Sequence, residues 1–270
     1  IFKKLQMKKY LVIGNPIEHS LSPKLHNYWM KKKNIKANYE KKKINENEIS
    51  NLILRVKKQE IDGINVTVPF KKAVIPFLDD LSTEAQSTQS VNTICLNNGK
   101  VIGYNTDIGG FEDSIKQANY NIENKKIFIL GSGGVVPSII FALYKMKASE
   151  IIVSNRTKEK AENLKILFKN LKIADWGECP DFDVIINATS IGLDIKDEIK
   201  LDFSSVGKNK FFYDVIYNPR ETNFLKTGKK LGNKIENGKM MFIYQARLAF
   251  KIWHGIDLEI DKETLGLLEK

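Results

Sequence analysis

The chain has 270 residues, long enough for two modest domains or one large one. With 42% hydrophobic and 28% charged residues it reads as an ordinary globular protein; no apolar run is long enough to span a bilayer, and no signal-peptide pattern opens it. The formal net charge of +11 is large, but the lysines fall in short scattered runs (Lys31 to Lys33, Lys41 to Lys43, Lys57 and Lys58, Lys125 and Lys126) with no interleaved aromatics, which argues against nucleic acid as a partner.

The opening "IFKKLQ", before Met7, is set aside as an upstream extension. "KYLVIGNP" then reads as a strand running into a loop. "SPKLHNYWMKKKN" reads as a helix, with Ser22 at the N-cap and Pro23 at the first helical position. "ENEISNLILRVKKQ" has helical spacing at Ile49, Leu52, Ile53 and Val56. In "GINVTVPFKK", Ile64, Val66 and Val68 alternate with Asn65 and Thr67, which predicts a half-buried strand that Pro69 terminates. "SVNTICLNNGKVIGYNTD" predicts a hairpin turning at Asn97 to Gly99. From Lys125 onward strands and helices alternate: "KKIFIL", a glycine loop and a helix, then "EIIVSN", the helix "KEKAENLKILFKN", and the strands "FDVIINAT" and "FFYDVIY". Alternation of this kind implies a parallel sheet covered by helices on both faces. The closing "GKMMFIYQARLAFKIWH" is apolar around most of its circumference, as a buried helix is. Cys95 and Cys179 have no motif spacing, which fits a reduced, cytoplasmic protein.

Gly131, Gly133 and Gly134 stand between a predicted strand and a predicted helix, the context of a dinucleotide-binding turn; the third fingerprint position is Val136. The next strand ends in Asn155, Arg156 and Thr157, with Lys160 a turn beyond. A carboxylate there would take the ribose hydroxyls of NAD. Cations instead favour the 2′-phosphate of NADP. Upstream, Ser20, Ser22, Asn65, Thr67, Lys71, Asn92, Asn105 and Asp107 sit where strands end and suit a small polyhydroxylated ligand. Lys71 and Asp107 are a candidate acid/base pair, with the proton carrier between them left open. Read singly, Ser22 is a helix cap, Asn92 and Asn105 are turn formers, and Lys71 and Arg156 are solvated cations; the combination is what argues.

"GNPIEHSLSP", "INVTVPFKK", "VNT", "GYNTD", "GSGGVV", "NRT", "NATSIGL" and "GKMMFIYQA" occur in the order and spacing of the shikimate dehydrogenase family, which the chain resembles from about Lys8 to beyond Trp253. It departs from the family pattern at Val136, at Ile191 and in the loop Gly131-Ser132-Gly133-Gly134, where Ala is commoner. The resemblance implies reversible NADPH-dependent reduction of 3-dehydroshikimate to shikimate, on the pathway to chorismate and the aromatic amino acids. It implies a two-domain α/β fold: a substrate domain over 1–106, completed by 239–270, and an inserted Rossmann-like NADP-binding domain over 107–238. C-terminal helices return to the first domain. Lys71 and Asp107 would be catalytic. Ser20, Ser22, Thr67, Asn92, Asp107, Tyr217 and Gln245 would bind substrate. Gly131, Ser132, Gly133, Gly134, Val135, Asn155, Arg156, Thr157, Lys160, Thr189, Val215, Gly238 and Met241 would bind the cofactor. No metal is implied. The partner would be the small-molecule substrate, with neither nucleic acid nor membrane; the oligomeric state is open, a homodimer among the options. Two alternatives remain: a quinate/shikimate dehydrogenase of broader substrate and cofactor use, and a basic nucleic-acid-binding protein on the same fold.

Overall fold

The computed structural model describes residues 7–269; the segment read as an extension, residues 1–6, lies outside them. The chain divides into two compact units. One takes the chain up to Asp107 together with the segment from Gln245 onward, and the other is Ile108–Tyr244.

The first unit is built on β1 (Lys8–Gly14), α1 (Ser22–Lys32), β2 (Ala37–Lys43), α2 (Ile49–Lys57), β3 (Gly63–Val66), β4 (Asp80–Leu81), α3 (Thr83–Thr88), β5 (Thr93–Asn97) and β6 (Lys100–Tyr104). Its sheet has the order β2-β1-β3-β5-β6-β4. Strands β1, β2 and β3 run parallel, while β3, β5 and β6 pair antiparallel. The expected hairpin is present, and its two-residue turn, Asn98-Gly99, has φ of 49° and 77°, the left-handed pair that suits the twist of the strands. Helix α2 buries the four residues its spacing singled out, against Ile64, Val66, Ile94 and Val101.

Two expectations need correction here, and one element was missed. The N-cap of α1 is Leu21, so Ser22 and Pro23 are the first and second helical residues. Strand β3 stops at Val66 and is buried on both faces, while Val68 is 54% exposed. The alternation failed because Asn65, the polar member, is satisfied inside by buried partners rather than by water. Strand β2 was not foreseen at all: in "ANYEKKK" only Tyr39 is buried, and the lysines belong to a sheet edge, where charge discourages pairing with another chain.

The second unit is a parallel sheet. Its elements are α4 (Asp107–Gln117, whose first residue belongs to the first unit), β7 (Lys126–Leu130), α5 (Val136–Lys145), β8 (Glu150–Ser154), α6 (Lys158–Glu162), β9 (Lys172–Ala174), β10 (Val184–Asn187), β11 (Phe211–Asp214), α7 (Asn223–Lys230) and β12 (Lys234–Glu236). The order is β9-β8-β7-β10-β11-β12, so successive strands run outward one way from β7 and then the other way from β10. Ligands of such sheets bind outside the strand C-termini at that reversal. Alternate residues of one strand serve opposite cores: Ile127 and Ile129 face the layer of α4 and α5, Phe128 and Leu130 the layer of α7. The helix expected over "KEKAENLKILFKN" is shorter, since α6 ends at Glu162 and the chain passes into a 3-10 turn over Asn163–Ile166.

Helix α8 (Lys239–His254) and α9 (Lys262–Gly266) complete the chain. From Gln245 on they return to the first unit, as the resemblance implied. The Trp253 indole N–H donates to the Ile94 carbonyl at 3.2 Å, and the Trp29 indole N–H donates to Thr264 Oγ1 at 3.1 Å. His26, Trp29, Tyr39, Phe250 and Trp253 stack into one aromatic layer behind the sheet.

Candidate active site

Beyond the end of β3 the chain turns through Pro69 and Phe70 and presents Lys71. Its Nζ lies 2.5 Å from Asp107 Oδ2, with the two side chains 11% and 8% exposed. A buried ammonium–carboxylate pair is costly to desolvate and needs further hydrogen bonds. Asn92 supplies one: its Nδ2 donates to Asp107 Oδ1 at 2.9 Å, and lies 3.4 Å from Gln245 Oε1. Asn92 is fixed in turn, because its Oδ1 accepts the Thr106 backbone N–H at 2.8 Å. Asn105 Oδ1 accepts the Asp107 N–H at 3.1 Å, at the start of α4. Four expected residues, Lys71, Asn92, Asp107 and Gln245, are therefore joined in one polar cluster. Lys72 is exposed.

Ser20 and Ser22 also come together, the Ser22 N–H donating to Ser20 Oγ at 3.4 Å. Thr67 is half-buried just past β3, with its N–H bonded to the Ile13 carbonyl at 2.9 Å. Tyr217 belongs to the second unit. Its ring stacks on Phe242 at 4.8 Å, and burial pushes its phenol up to about 12.

In the second unit the glycine loop follows β7, at the reversal of strand order. Gly131 has φ +110°, and a Cβ there would stand 2.8 Å from the Ala188 carbonyl oxygen, so only glycine fits. Thr189 lies beside it, its hydroxyl donating to Asn187 Oδ1 at 2.7 Å. Gly133 and Gly134 are exposed, Ser132 and Val135 half-exposed. Helix α5 opens at Val136 with no side chain capping it. An uncapped helix N-terminus fronted by bare glycine backbone fits a pyrophosphate. Val136, the departure from the fingerprint, is fully buried in the core with Ile139 and Ile140.

Past β8, Asn155 Nδ2 donates to the Thr157 carbonyl at 2.8 Å. Thr157 is the N-cap of α6 but its side chain caps nothing. Arg156 and Lys160 are exposed and form no ion pair among the described residues, while Asp175 is taken by Lys158 at 2.5 Å. Unpaired cations at that strand end fit a phosphate on the ribose. At the end of β11, Gly238 packs against Val215 so tightly that a Cβ would stand 2.0 Å from its carbonyl oxygen; Met241 is buried a turn later.

Sequence reasoning did not single out the layer behind these groups. In the first unit it holds Tyr39, Thr93 and Thr106; in the second, Asn187, Asp214 and Thr222. Asp214 accepts hydrogen bonds from Asn187 Nδ2, the Ile216 N–H and the Thr222 hydroxyl, at 3.1, 3.0 and 2.6 Å. Burial raises its carboxyl to about 6 despite those bonds. Thr93, Thr106 and Asn187 lie inside motifs already marked, and that proximity was the available signal.

A family model described as the shikimate dehydrogenase substrate binding domain matches residues 12–94, and one described as shikimate / quinate 5-dehydrogenase matches residues 113–224. The shikimate dehydrogenase (NADP(+)) of Pelagibacter ubique is 58% identical over 262 residues, covering 97% of this chain and 99% of that one. The chain belongs to the shikimate dehydrogenase family. A solved shikimate dehydrogenase in complex with NADP+ matches it with a TM-score of 0.90 at 35% identity, over 97% of this chain and 95% of that one. The shikimate dehydrogenase of Thermus thermophilus, in complex with NADP(H) and shikimate, gives 0.87 at 30% identity, over 97% and 98%. Membership of the shikimate dehydrogenases brings the enzyme class, an NADP-dependent oxidoreductase of the shikimate pathway, and the two-domain α/β fold, both as the sequence reading had them. No helix among the described residues is long and apolar enough to cross a membrane.

Proposed function

We propose that the chain interconverts 3-dehydroshikimate and shikimate with NADP as cofactor, and that Lys71 and Asp107 handle the proton. The observation that carries this is the buried Lys71–Asp107 pair at 2.5 Å, held by the Asn92 amide and adjoining Gln245. NADPH, when bound, supplies the hydride that reduces the ring carbonyl. The carbonyl oxygen must also gain a proton, and the Lys71 ammonium can give it; in the reverse direction the amine takes it from the hydroxyl. Asp107 does not compete as donor, because both its oxygens already accept hydrogen bonds. Its charge holds the ammonium in place between turnovers.

Ser20 and Ser22 are assigned to the substrate carboxylate, and Thr67, Asn92, Gln245 and Tyr217 to the carboxylate or ring hydroxyls. The glycine loop from Gly131 to Val135 holds the pyrophosphate, and Asn155, Arg156, Thr157 and Lys160 hold the 2′-phosphate. Thr189, Val215, Gly238 and Met241 border the nicotinamide side. Cytoplasmic location is supported by the unpaired thiols Cys95 and Cys179. A homodimer is the assembly to test, by light scattering on the purified chain.

The test of the reading is spectrophotometric: NADP reduction with shikimate and with quinate, each repeated with NAD. A pocket that hydrogen-bonds each substrate group rejects analogues that leave its polar groups unpaired. Shikimate with NADP is therefore the preferred combination. Comparable kcat/KM for quinate would move the assignment to the broader quinate/shikimate class.

A further inference from the structure

Behind the Lys71–Asp107 pair runs a line of buried hydrogen bonds whose direction can be read link by link. A backbone carbonyl only accepts and a backbone N–H only donates, so each fixes the orientation of an amide beside it. Asn65 Nδ2 faces the Asn92 carbonyl at 3.0 Å, which leaves Asn65 Oδ1 to accept from the Tyr39 hydroxyl at 2.7 Å. The same Nδ2 donates to Thr93 Oγ1 at 3.0 Å. Thr93 therefore has its own proton for Asn92 Oδ1, 3.1 Å away, with Thr106 Oγ1 more distant at 3.5 Å. Asn92 Oδ1 also takes the Thr106 N–H, at 2.8 Å, so Asn92 Nδ2 is turned to Asp107 Oδ1. Tyr39, Asn65, Thr93, Asn92 and Thr106 are 7% exposed or less.

The donors from the Tyr39 hydroxyl through Asn65, Thr93 and Asn92 lead toward Asp107, while Asn92 Nδ2 also lies 2.9 Å from Thr106 Oγ1. None of the three residues Tyr39, Asn65 and Thr93 touches the pair itself. An interior that needed only to be filled would use apolar side chains there, since buried polar groups cost free energy unless fully bonded. We propose that Tyr39, Asn65 and Thr93 are positioning residues for proton transfer: their aligned hydrogen bonds hold the Asn92 amide so that it binds Asp107 Oδ1 and leaves Oδ2 to Lys71. This rests on the reading of Lys71 and Asp107 as the proton-handling pair.

Thr93→Val is the direct test, because it removes the hydroxyl and keeps the shape. Asn92 Oδ1 then loses one donor and Asn65 Nδ2 one acceptor. The expected result is a fall in kcat of about tenfold, the scale of one or two hydrogen bonds, with KM for NADP unchanged and the circular dichroism spectrum intact. Thr93→Ser restores the hydroxyl and should recover kcat to within about twofold of wild type. Tyr39→Phe, which removes only the first donor, should lower kcat in the same direction by a smaller factor. A Thr93→Val enzyme with wild-type kcat, or a loss that Thr93→Ser does not rescue, overturns the proposal. If Thr93→Val does not fold, Tyr39→Phe decides alone, and a wild-type kcat there overturns it equally. Lys71→Ala separates the two levels. If it retains kcat, the reading of the pair and the positioning role fall together; if it loses kcat while Thr93→Val does not, only the positioning role falls.

Discussion

Lys71 and Lys72 follow one another in the chain, yet Lys71 is buried against Asp107 and Lys72 is exposed. If Lys71 only bound substrate, its removal would raise KM and spare kcat. As the proton carrier, its loss falls on kcat. Lys71→Ala is therefore expected to lower kcat by ~10²–10⁴-fold with little change in KM, and Lys72→Ala to be nearly silent. Steady-state kinetics on both variants checks this, with circular dichroism as the control for folding. Arg156 gives a second expectation at this scale. Its guanidinium is exposed and unpaired among the described residues, so its removal breaks no ion pair among them. Arg156→Ala should weaken NADP at least about tenfold while leaving NAD nearly unchanged. Equal loss for both cofactors would mean that Arg156 does not serve the 2′-phosphate. The positions of both residues were legible because motif and strand end coincide there. Asn65 was legible only in part. Its place among the polar residues of the pocket was read, but its burial was not, because its partners Tyr39 and Thr93 come from β2 and β5, distant in sequence.

Among the elements, the ends of β10 and β11 are tied by a single carboxylate. Asp214 receives the Asn187 amide, the Ile216 N–H and the hydroxyl of Thr222, the N-cap of α7. Asn187 in turn accepts from the N–H and hydroxyl of Thr189. Removing Asp214 would take an acceptor from the Ile216 N–H, the Thr222 hydroxyl and the Asn187 amide, which would keep only the Ile191 carbonyl at 3.0 Å. Asp214→Ala is expected to cost about 2–4 kcal/mol in urea unfolding and to raise KM for NADP, because Thr189 and Val215 lose their anchor. Asp214→Asn keeps one oxygen, and the Thr222 hydroxyl can turn to accept from the new amide. That variant should stay within about 1 kcal/mol of wild type. Equal stability of the two variants would remove Asp214 from this role. Sequence could not expose the knot, since a lone Asp within "FFYDVIY" looks like a solvated strand end. What sequence did show were elements with a local signature: the Asn98-Gly99 hairpin, the helix with Ile49, Leu52, Ile53 and Val56, and the strand–glycine–helix unit. Strand β2 and α7 lacked one, because their lysine-rich faces hide a few buried residues that only the finished sheet makes sense of, and β12 is three residues with none buried.

For the whole molecule, three titratable groups with large burial shifts act on the acid limb of stability, and they do not share a sign. His26 sits in the aromatic layer, stacked on Tyr39 at 4.4 Å, and its Nε2 has no partner among the described residues. Burial lowers it to about 3, and burial likewise lowers His254 to about 4. In the unfolded chain both titrate near 6.5, so between there and pH 4 the unfolded state binds more protons and stability falls as pH falls. Asp214 works the other way. Raised by burial to about 6 from 3.8, it binds its proton in the folded state first, so acidification through that window favours the fold. Among these three groups the two histidines outweigh the one carboxylate, so unfolding between pH 6 and 4 takes up protons. The formal charge of +11 acts in the same direction as the histidines, since added protons increase self-repulsion. The melting temperature should therefore fall as pH is taken from 7 to 4.5. His26→Phe, which keeps the stack and removes the larger shift, should flatten that fall. Asp214→Asn, which removes the opposing group, should steepen it. Melting curves of the three proteins at matched ionic strength decide the matter. If His26→Phe loses as many degrees as wild type over this range, the aromatic layer is not what makes the protein acid-sensitive.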